Sequence, residues 1–298
     1  MTFKAKQTAI GPAALRAIES YTTPEQRLFN DPLARPLCGP FLGALLALFA
    51  FRNVREPMFR LRDRKMPGVL GVLLCRFAYL DDVLRDALAN GVQSVVILGA
   101  GLDSRAYRVP GADAATFFEV DHPSVQDVKR ARLRRHLGAL PSHVRFVPID
   151  FDTQDLAMAL GGAGYERATR TLFIWEGVSQ YVSRAALEAT LRYVGSTAAG
   201  NRLAFSYVLQ SFIDDRSAFP ELNRLWDVMC KGDDPLWKGG LHPEHLAKTL
   251  SGFSLRICEE MGRSEHLARY LEPKGRSLGV CEIERIVLAE VKASPALE

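Results

Sequence analysis

Cysteine is scarce in this sequence, and none of its five occurrences lies at CxxC spacing from another; they are Cys38, Cys75, Cys230, Cys258 and Cys281. The odd number and the wide scatter argue against a disulfide framework and against a zinc ribbon. We therefore expect small core side chains in a reducing compartment. The first residues also lack the continuous apolar segment of a secretory signal, which favours a cytoplasmic location.

Long apolar runs are absent as well. The run FLGALLALFAF at residues 41–51 is too short to cross a bilayer as a helix, so no membrane span is predicted. We interpret it as a helix that is buried against the body of the protein or against a partner. Contact with a membrane surface is a minor alternative.

Neither sign of charge dominates, since the sequence contains 38 Lys and Arg residues and 34 Asp and Glu residues. The basic clusters Arg52–Lys65 and Lys129–Arg135 are interpreted as solvated helix faces, and no nucleic-acid partner is expected because no matching motif accompanies them. The 298 residues, 48% of them hydrophobic, suit one large domain or one domain with a lid. The composition is compatible with a homo-oligomer.

The most informative stretch is VVILGAGLDSRAYR, residues 95–108. Val95 to Leu98 predicts a buried parallel strand. Gly99 and Gly101 permit positive φ and a close approach to a ligand, with Ala100 between them. Asp103 or Ser104 is then expected to cap a helix, so strand, turn and helix would form a nucleotide pocket.

The next strand refines the choice of nucleotide. TFFEVD, residues 116–121, ends in Asp121, about twenty residues after the turn, where an acid meets ribose hydroxyls in such folds. Ser104 stands where a dinucleotide fingerprint has its third glycine. This favours a nucleoside ligand without a diphosphate, S-adenosylmethionine above all, over NAD.

The rest of the chain alternates strands and helices, which predicts a doubly wound, mostly parallel, seven-stranded Rossmann-like α/β sheet with N-terminal helices and a helical lid. Three successive strands end in acids at Asp121, Asp150 and Glu176, so these acids should converge on one crevice. The remaining strands are expected at 95–98, 144–149, 171–176, 202–208, 255–258 and 282–289. The main helices are expected at 13–21, 70–89, 124–137, 184–195 and 243–250, with Asp152 capping a further one.

We divide the chain into an N-terminal helical segment (1–92), a cofactor-binding core (93–208), a lid insertion (209–241) and a C-terminal part of the core sheet (242–298). The insertion is aromatic and turn-rich and would lie over the carboxyl ends of the strands. His242 and His245 share HPEH spacing, but no third ligand is evident and no metal site is predicted.

Five motifs resemble the leucine carboxyl methyltransferase family, specifically its short bacterial branch of class I S-adenosylmethionine-dependent O-methyltransferases. They are RAIES at 16–20, RFAYLDD at 76–82, the stretch at 95–108, FFEVDHPSVQDVK at 117–129 and FIWEGVSQYVS at 173–183. The resemblance covers about residues 13–195.

The resemblance implies a role for several side chains. Arg76 would grip the methionine carboxylate, Asp121 the ribose hydroxyls and Glu176 the amino end of the methionine. Asp150 and Phe151 would bracket the adenine, and Gly99 and Gly101 would line the methionine and ribose. The predicted cofactor set also includes Ala100, Asp103, His122 and Gly177.

Methyl transfer from a sulfonium needs alignment and a dehydrated pocket more than a strong acid or base. No catalytic residue is evident, and the candidates nearest the strand ends are Arg105, Tyr107, Tyr181 and Tyr207. We expect O-methylation of a carboxyl or hydroxyl group on a small molecule, such as a secondary metabolite. Alternatives are a protein C-terminal carboxyl methyltransferase, a nicotinamide-dependent oxidoreductase and a non-catalytic cofactor-binding protein.

Overall fold

A computed structural model describes residues 2–151 and 153–293, with side chains from residue 9 onward. The α-helices are α1 (Thr2–Glu19), α2 (Ala34–Leu37), α3 (Pro40–Leu46), α4 (Arg52–Lys65), α5 (Val69–Ala89), α6 (Arg105–Arg108), α7 (Pro123–Leu137), α8 (Leu156–Gly162), α9 (Arg184–Gly195), α10 (Gln210–Asp214), α11 (Asn223–Met229), α12 (Pro243–Ser251) and α13 (Arg263–His266). The strands are β1 (Ser94–Leu98), β2 (Thr116–Asp121), β3 (Val144–Pro148), β4 (Thr171–Trp175), β5 (Arg202–Val208), β6 (Leu255–Met261) and β7 (Glu284–Val291).

The seven strands form one sheet in the order β3-β2-β1-β4-β5-β7-β6. Neighbouring pairs among β1 to β5 are parallel, and β7 runs antiparallel to both β5 and β6. The predicted fold class is confirmed. The order reverses at β1, so the carboxyl ends of β1 and β4 flank the crevice where such sheets bind ligands.

The central strands form where the sequence has unbroken runs of mostly apolar residues. Every residue of β1 and β4 is buried, as expected for strands covered by helices on both faces. Helix α5 supplies part of this cover with the buried side chains Leu74, Phe77, Leu80 and Leu84. Strands β2 and β5 and helix α9 have the bounds that the sequence pattern predicts.

The segment at 41–51 differs from the prediction. Helix α3 ends at Leu46 and a 3₁₀ turn, Ala47–Ala50, follows it. Leu46 is buried, but Phe41, Leu45, Leu48 and Phe51 are exposed. Burial of this run against the body of the protein is therefore wrong, because short helices joined by a tight 3₁₀ turn can bury only one side of the run.

The helix after β1 is shorter than expected. Helix α6 is a single turn that begins after Ser104, and the Ser104 side chain makes no capping bond there. Asp103 accepts the Arg105 N–H instead. The pocket therefore cannot draw on a long helix dipole, because only one turn of aligned peptides stands behind the glycines.

The segment after β5 carries two short helices, α10 and α11, with a 3₁₀ turn, Pro220–Leu222, between them. It returns to the sheet edge where Leu209 and Leu241 form a parallel bridge. Asp152, the expected helix cap, lies outside the described residues, and Asp155 caps α8 by accepting the Met158 N–H.

Candidate functional site

The glycine turn follows β1 directly. Gly99 and Gly101 have φ values of +70° and +44°, a region that L side chains rarely adopt. The N–H groups of Gly99 and Ala100 donate to the Val120 carbonyl at 2.8 and 3.0 Å, which ties the turn to the end of β2. A Cβ at Gly99 would lie 2.4 Å from Val178 Cγ2, so this glycine is required by protein packing as well as by φ.

Asp121 lies at the same edge of the sheet. Its carboxylate accepts the Gly101 N–H at 2.5 Å and the His122 N–H at 2.6 Å. Burial raises the pKa of Asp121, and the two amide hydrogen bonds partly offset that effect. His122 precedes α7 and its Nδ1 accepts the Ser124 N–H, so its ring serves as a helix cap.

Arg76 projects from α5 into this crevice and is buried. Its Nε donates to Glu176 at 3.0 Å, and its Nη1 contacts the Glu284 carboxylate. Its Nη2 makes no hydrogen bond to the described residues and faces Gly177, where an added Cβ would lie 3.2 Å away. Arg76 therefore has donor capacity left at the end of β4.

Arg105 is the centre of a buried ion-pair network. It donates from Nε to Asp81 at 2.8 Å, and from Nη1 to Asp103 at 2.5 Å and to Glu176 at 2.7 Å. Although burial opposes its charge, the carboxylates of Asp103, Glu176 and Asp81 raise the pKa of Arg105. Glu176 thus bridges Arg105 to Arg76 across the crevice.

The network reaches the N-terminal helices. Arg108 donates to Asp81 at 2.7 Å, and Ser104 donates to Asp31 at 2.6 Å. Asp31 also accepts from Arg16 of α1 at 2.8 Å. Burial alone would raise the pKa of Asp31, but Arg16 and Arg108 lower it, so the carboxylate stays charged.

Carboxylates outnumber guanidinium groups among the buried members of this network. Nine of its charged side chains are 11% exposed or less: the acids Asp31, Asp81, Asp103, Glu176 and Glu284 and the bases Arg16, Arg76, Arg105 and Arg108. The half-exposed Arg85 also contacts Asp81, with Nη2 3.7 Å from the carboxylate. Asp121 adds a sixth carboxyl at the same edge. A buried excess of negative charge is costly unless a cation accompanies it, so the site suits a ligand with net positive charge.

The four catalytic candidates occupy different surroundings. The Arg105 guanidinium donates hydrogen bonds to three carboxylates. Tyr207 donates to Glu260 at 2.6 Å, within the β5–β7–β6 edge of the sheet. Tyr107 lies under Lys129, whose Nζ is 5.6 Å from the ring centroid and pairs with Glu119. Tyr181 alone of the four packs on the segment after β5, with its ring centroid 6.5 Å from that of Trp237.

The expected adenine residues follow β3. The Asp150 N–H donates to the Gln154 side chain at 2.8 Å, and Phe151 is half-buried against the core. His242 and His245 have ring centroids 5.7 Å apart. Across the part of the chain that the structure describes, no three His, Cys, Asp or Glu side chains cluster as a metal site would require.

Sequence reasoning missed Glu284, Asp81 and Asp31 as members of the site. Asp81 lies in the RFAYLDD motif and could have been noticed there. Glu284 begins the reversed strand β7 and Asp31 lies in the loop after α1, so no local pattern marks either. Both reach the crevice only through long-range packing.

Comparisons with known proteins identify the family of the chain. Residues 9–195 match the leucine carboxyl methyltransferase family. A relative from Mycolicibacterium paratuberculosis, named "putative S-adenosyl-L-methionine-dependent methyltransferase", is 35% identical over 75% of this chain and 71% of its own. One of the same name from Streptomyces coelicolor is 34% identical over 82% of this chain and 84% of its own.

A solved structure supports the fold. A crystal structure described as a putative methyltransferase from Thermobifida fusca superposes with a TM-score of 0.55 at 14% identity, over 94% of both chains. The cofactor class predicted from the glycine turn and Asp121 agrees with the names of the sequence relatives. The family match spans more than half of the chain, and this chain belongs to the leucine carboxyl methyltransferase family as one of its S-adenosylmethionine-dependent methyltransferases.

Proposed function

We propose that this protein transfers the methyl group of S-adenosylmethionine to a carboxyl oxygen of a small, mostly apolar molecule. The observation that carries the proposal is the excess of buried carboxylates over buried guanidinium groups around the carboxyl ends of β1, β2 and β4. This ligand carries a sulfonium and an ammonium against one carboxylate. Its net positive charge would offset the excess negative charge of the buried carboxylates.

The described residues fit the cofactor at both ends. Arg76 would hold its carboxylate through the free Nη2, and Glu176 would face its ammonium. Asp121 would accept its ribose hydroxyls beside Gly101, where an added Cβ would meet, among the described residues, Ala9 and the Gly99 carbonyl within 4 Å. When bound, the cofactor supplies an electrophilic methyl group on sulfur, and the protein aligns the acceptor and excludes water.

The acceptor class follows from what the candidate side chains cannot do. Burial raises the pKa of Tyr107, Tyr181 and Tyr207, so each remains a neutral phenol near pH 7. Arg105 stays protonated. None of these four can remove a proton from an alcohol. A carboxylate acceptor arrives already ionised, so this site is better suited to esterification than to ether formation.

The acceptor side of the crevice would be formed by Tyr181 and Trp237. Trp237 is buried, and its ring also packs on Phe212 with centroids 5.8 Å apart. These aromatic side chains favour a mostly apolar or aromatic body next to one polar group. We assign the segment 209–241 to substrate binding and the strand ends to cofactor binding.

Binding and turnover test the proposal in sequence. S-adenosylhomocysteine should raise the melting temperature in proportion to the logarithm of its concentration, and NAD should not. The enzyme is then incubated with methyl-labelled cofactor and a panel of aromatic and aliphatic carboxylic acids and phenols. Alkali should release the label as volatile methanol, because methyl esters hydrolyse in base and methyl ethers do not.

One variant tests the cofactor site and a second serves as its control. Asp121→Ala should weaken S-adenosylhomocysteine binding by about 1.5–3 kcal/mol through loss of charge-assisted hydrogen bonds. Asp113→Ala removes an exposed acid from the turn before β2 and should leave affinity unchanged.

The competing functions give different results. A thermal shift with NAD alone would indicate an oxidoreductase. Label on the carboxyl terminus of a protein only would indicate a protein methyltransferase, and tight binding without turnover would indicate a non-catalytic binder. Alkali-stable label on hydroxyl groups would contradict the carboxyl assignment while leaving methyl transfer intact.

A further inference from the structure

Large exposed apolar side chains are concentrated in one short segment. Of the nine such side chains in the described part of the chain, six lie between residues 41 and 61: Phe41, Leu45, Leu48, Phe51, Val54 and Leu61. Phe41 is 80% exposed and Phe51 is 62% exposed. A cluster of exposed apolar side chains of this kind marks a surface that another body covers.

The spacing places these side chains in stripes. Phe41, Leu45 and Leu48 follow each other at intervals of four and three residues, along one side of α3 and the 3₁₀ turn. Val54 and Leu61 lie seven residues apart on α4, two helical turns on one side. Phe51 connects the two stripes. We call this the α3–α4 surface.

Its opposite sides are anchored in the protein. Leu46 and Phe59 are buried, and the buried Arg55 donates to the Phe49 carbonyl at 2.9 Å. The outward orientation of the stripes is therefore set by packing. The apolar side chains cannot turn inward without breaking these contacts.

Positive charge surrounds the stripes. Residues 41–65 contain six Arg and Lys residues and two acids, a formal charge of +4. All six bases except the buried Arg55 are exposed. Both acids are engaged, since Glu56 pairs with Arg52 and Arg60 and Asp63 accepts the Gly68 N–H. Within residues 2–151 and 153–293, no carboxylate pairs with the exposed Arg62, Arg64 or Lys65.

We infer that the α3–α4 surface binds the surface of an anionic lipid bilayer. Apolar side chains flanked by Arg and Lys are the combination that lies at the boundary between headgroups and acyl chains. Aromatic rings that project singly can enter that boundary, and the basic side chains then meet lipid phosphates. No helix in the described part of the chain could cross a bilayer, so the contact is peripheral.

Two other occupants fit less well. In a symmetric dimer through this surface each copy would oppose the same unpaired cations, which repel one another. An acidic protein partner would need grooves here for its own anchoring side chains, whereas the rings at Phe41 and Phe51 project outward. The lipid surface accepts both the charge and the protruding rings.

The position of the surface has a functional consequence. Helix α3 packs against α1, and the Ala9 side chain of α1 lies over Gly101 of the cofactor turn. Helix α1 therefore connects the α3–α4 surface to the turn that would hold the cofactor. Apolar acceptors dissolved in the membrane would be concentrated near the enzyme.

Vesicle flotation tests the inference on the full chain. Vesicles of phosphatidylcholine with phosphatidylglycerol should carry the protein upward, and high salt should reduce the bound fraction. Vesicles of phosphatidylcholine alone should bind at least about tenfold less protein. Their headgroups are zwitterionic, so the membrane carries no net negative charge to attract the Arg and Lys side chains. S-adenosylhomocysteine binding by each variant, which does not depend on lipid, verifies that the protein is folded.

Matched variants distinguish lipid binding by the α3–α4 surface from nonspecific binding by other exposed side chains. The double variants Phe41→Asp with Phe51→Asp, and Arg62→Glu with Arg64→Glu, should each lower binding at least about tenfold. Controls of the same chemistry are Met158→Asp with Val228→Asp, both exposed apolar positions, and Arg134→Glu with Arg135→Glu on α7. These controls should bind as the unmodified chain does.

Several results would overturn the inference. Failure to float with anionic vesicles would do so directly. Equal losses in the control variants would assign binding to net charge alone. A dimer that dissociates in Phe41→Asp with Phe51→Asp, without vesicle binding, would show that a second copy covers the surface. Capture by an acidic protein in the absence of vesicle binding would place a protein partner there.

Discussion

The Arg105 guanidinium and the Glu176 carboxylate hydrogen-bond at 2.7 Å across the crevice between β1 and β4. Arg105 follows the glycine turn, and Glu176 directly follows the fourth strand, 71 residues later. The pair therefore holds two edges of the cofactor site together.

Removing the centre of this network should be strongly destabilising. Arg105→Met leaves Asp103 buried without its cation, whereas Asp81 keeps its contact with Arg108, and we expect a loss of about 3–5 kcal/mol in the free energy of unfolding. The exposed pair Arg184–Glu188 provides the control, and Arg184→Met should cost about 0.5 kcal/mol or less. Urea denaturation measures both, and equal losses would mean that the buried network adds no more than a surface pair.

Arg76 should discriminate between cofactor analogues. Arg76→Lys retains a charge but loses the planar fork, so S-adenosylhomocysteine should bind at least about tenfold more weakly. Methylthioadenosine has no carboxylate, and its affinity should barely change. Calorimetry with both ligands is the measurement. Equal losses for the two would show that Arg76 acts through its contacts with Glu176 and Glu284.

Gly99 should tolerate no side chain. Gly99→Ala combines a φ of +70° with a Cβ 2.4 Å from Val178 Cγ2. Backbone strain of about 1–2 kcal/mol and overpacking of about 1–3 kcal/mol should both reduce stability.

Gly111→Ala separates these two costs. Gly111 has a φ of +80° and nothing within 4 Å of an added Cβ, so its substitution should show the backbone strain alone. Val178→Ala in the Gly99→Ala background should recover part of the overpacking cost, measured as a coupling energy in a double-mutant cycle. A zero coupling energy would contradict the contact.

His266 should make stability depend on pH. Burial lowers the pKa of His266 to about 4 from an ordinary 6.5. Between these values the unfolded chain binds a proton that the folded chain does not, so stability falls as the pH is lowered. The loss is about 1.4 kcal/mol per pH unit in that window.

His266→Phe removes the titration and serves as the comparison. The stability difference between the unmodified chain and His266→Phe should shrink from pH 6 to pH 5 by about 1.4 kcal/mol. Taking the difference cancels the carboxyls whose pKa burial raises, such as Asp121, which act in the opposite direction. A difference that stays constant with pH would show that His266 does not titrate in this window.

Local sequence patterns determined the central strands, the cofactor class and the family of this protein. A continuous apolar run before the glycine turn predicted β1, and apolar runs ending in acids predicted β2 and β4, because buried parallel strands must be apolar and their carboxyl ends meet at one edge. The glycine turn, Asp121 and the family motifs predicted the cofactor class and the family, both of which the comparisons confirm. The roles of the individual site residues stay predictions.

Tertiary structure alone decided which charges share the crevice. Arg76 contacts Glu284, 208 residues away in the sequence, and Ser104 contacts Asp31, 73 residues away. No periodicity encodes such pairs, since each depends on where a reversed strand or an N-terminal loop packs. Packing also decided which side of the apolar run at 41–51 faces outward, because a run that is apolar all round carries no information about which side the protein can cover. Sequence thus determined the sheet and its glycine turn through local physics, whereas the charge balance of the site and the exposed α3–α4 surface arose from long-range contacts.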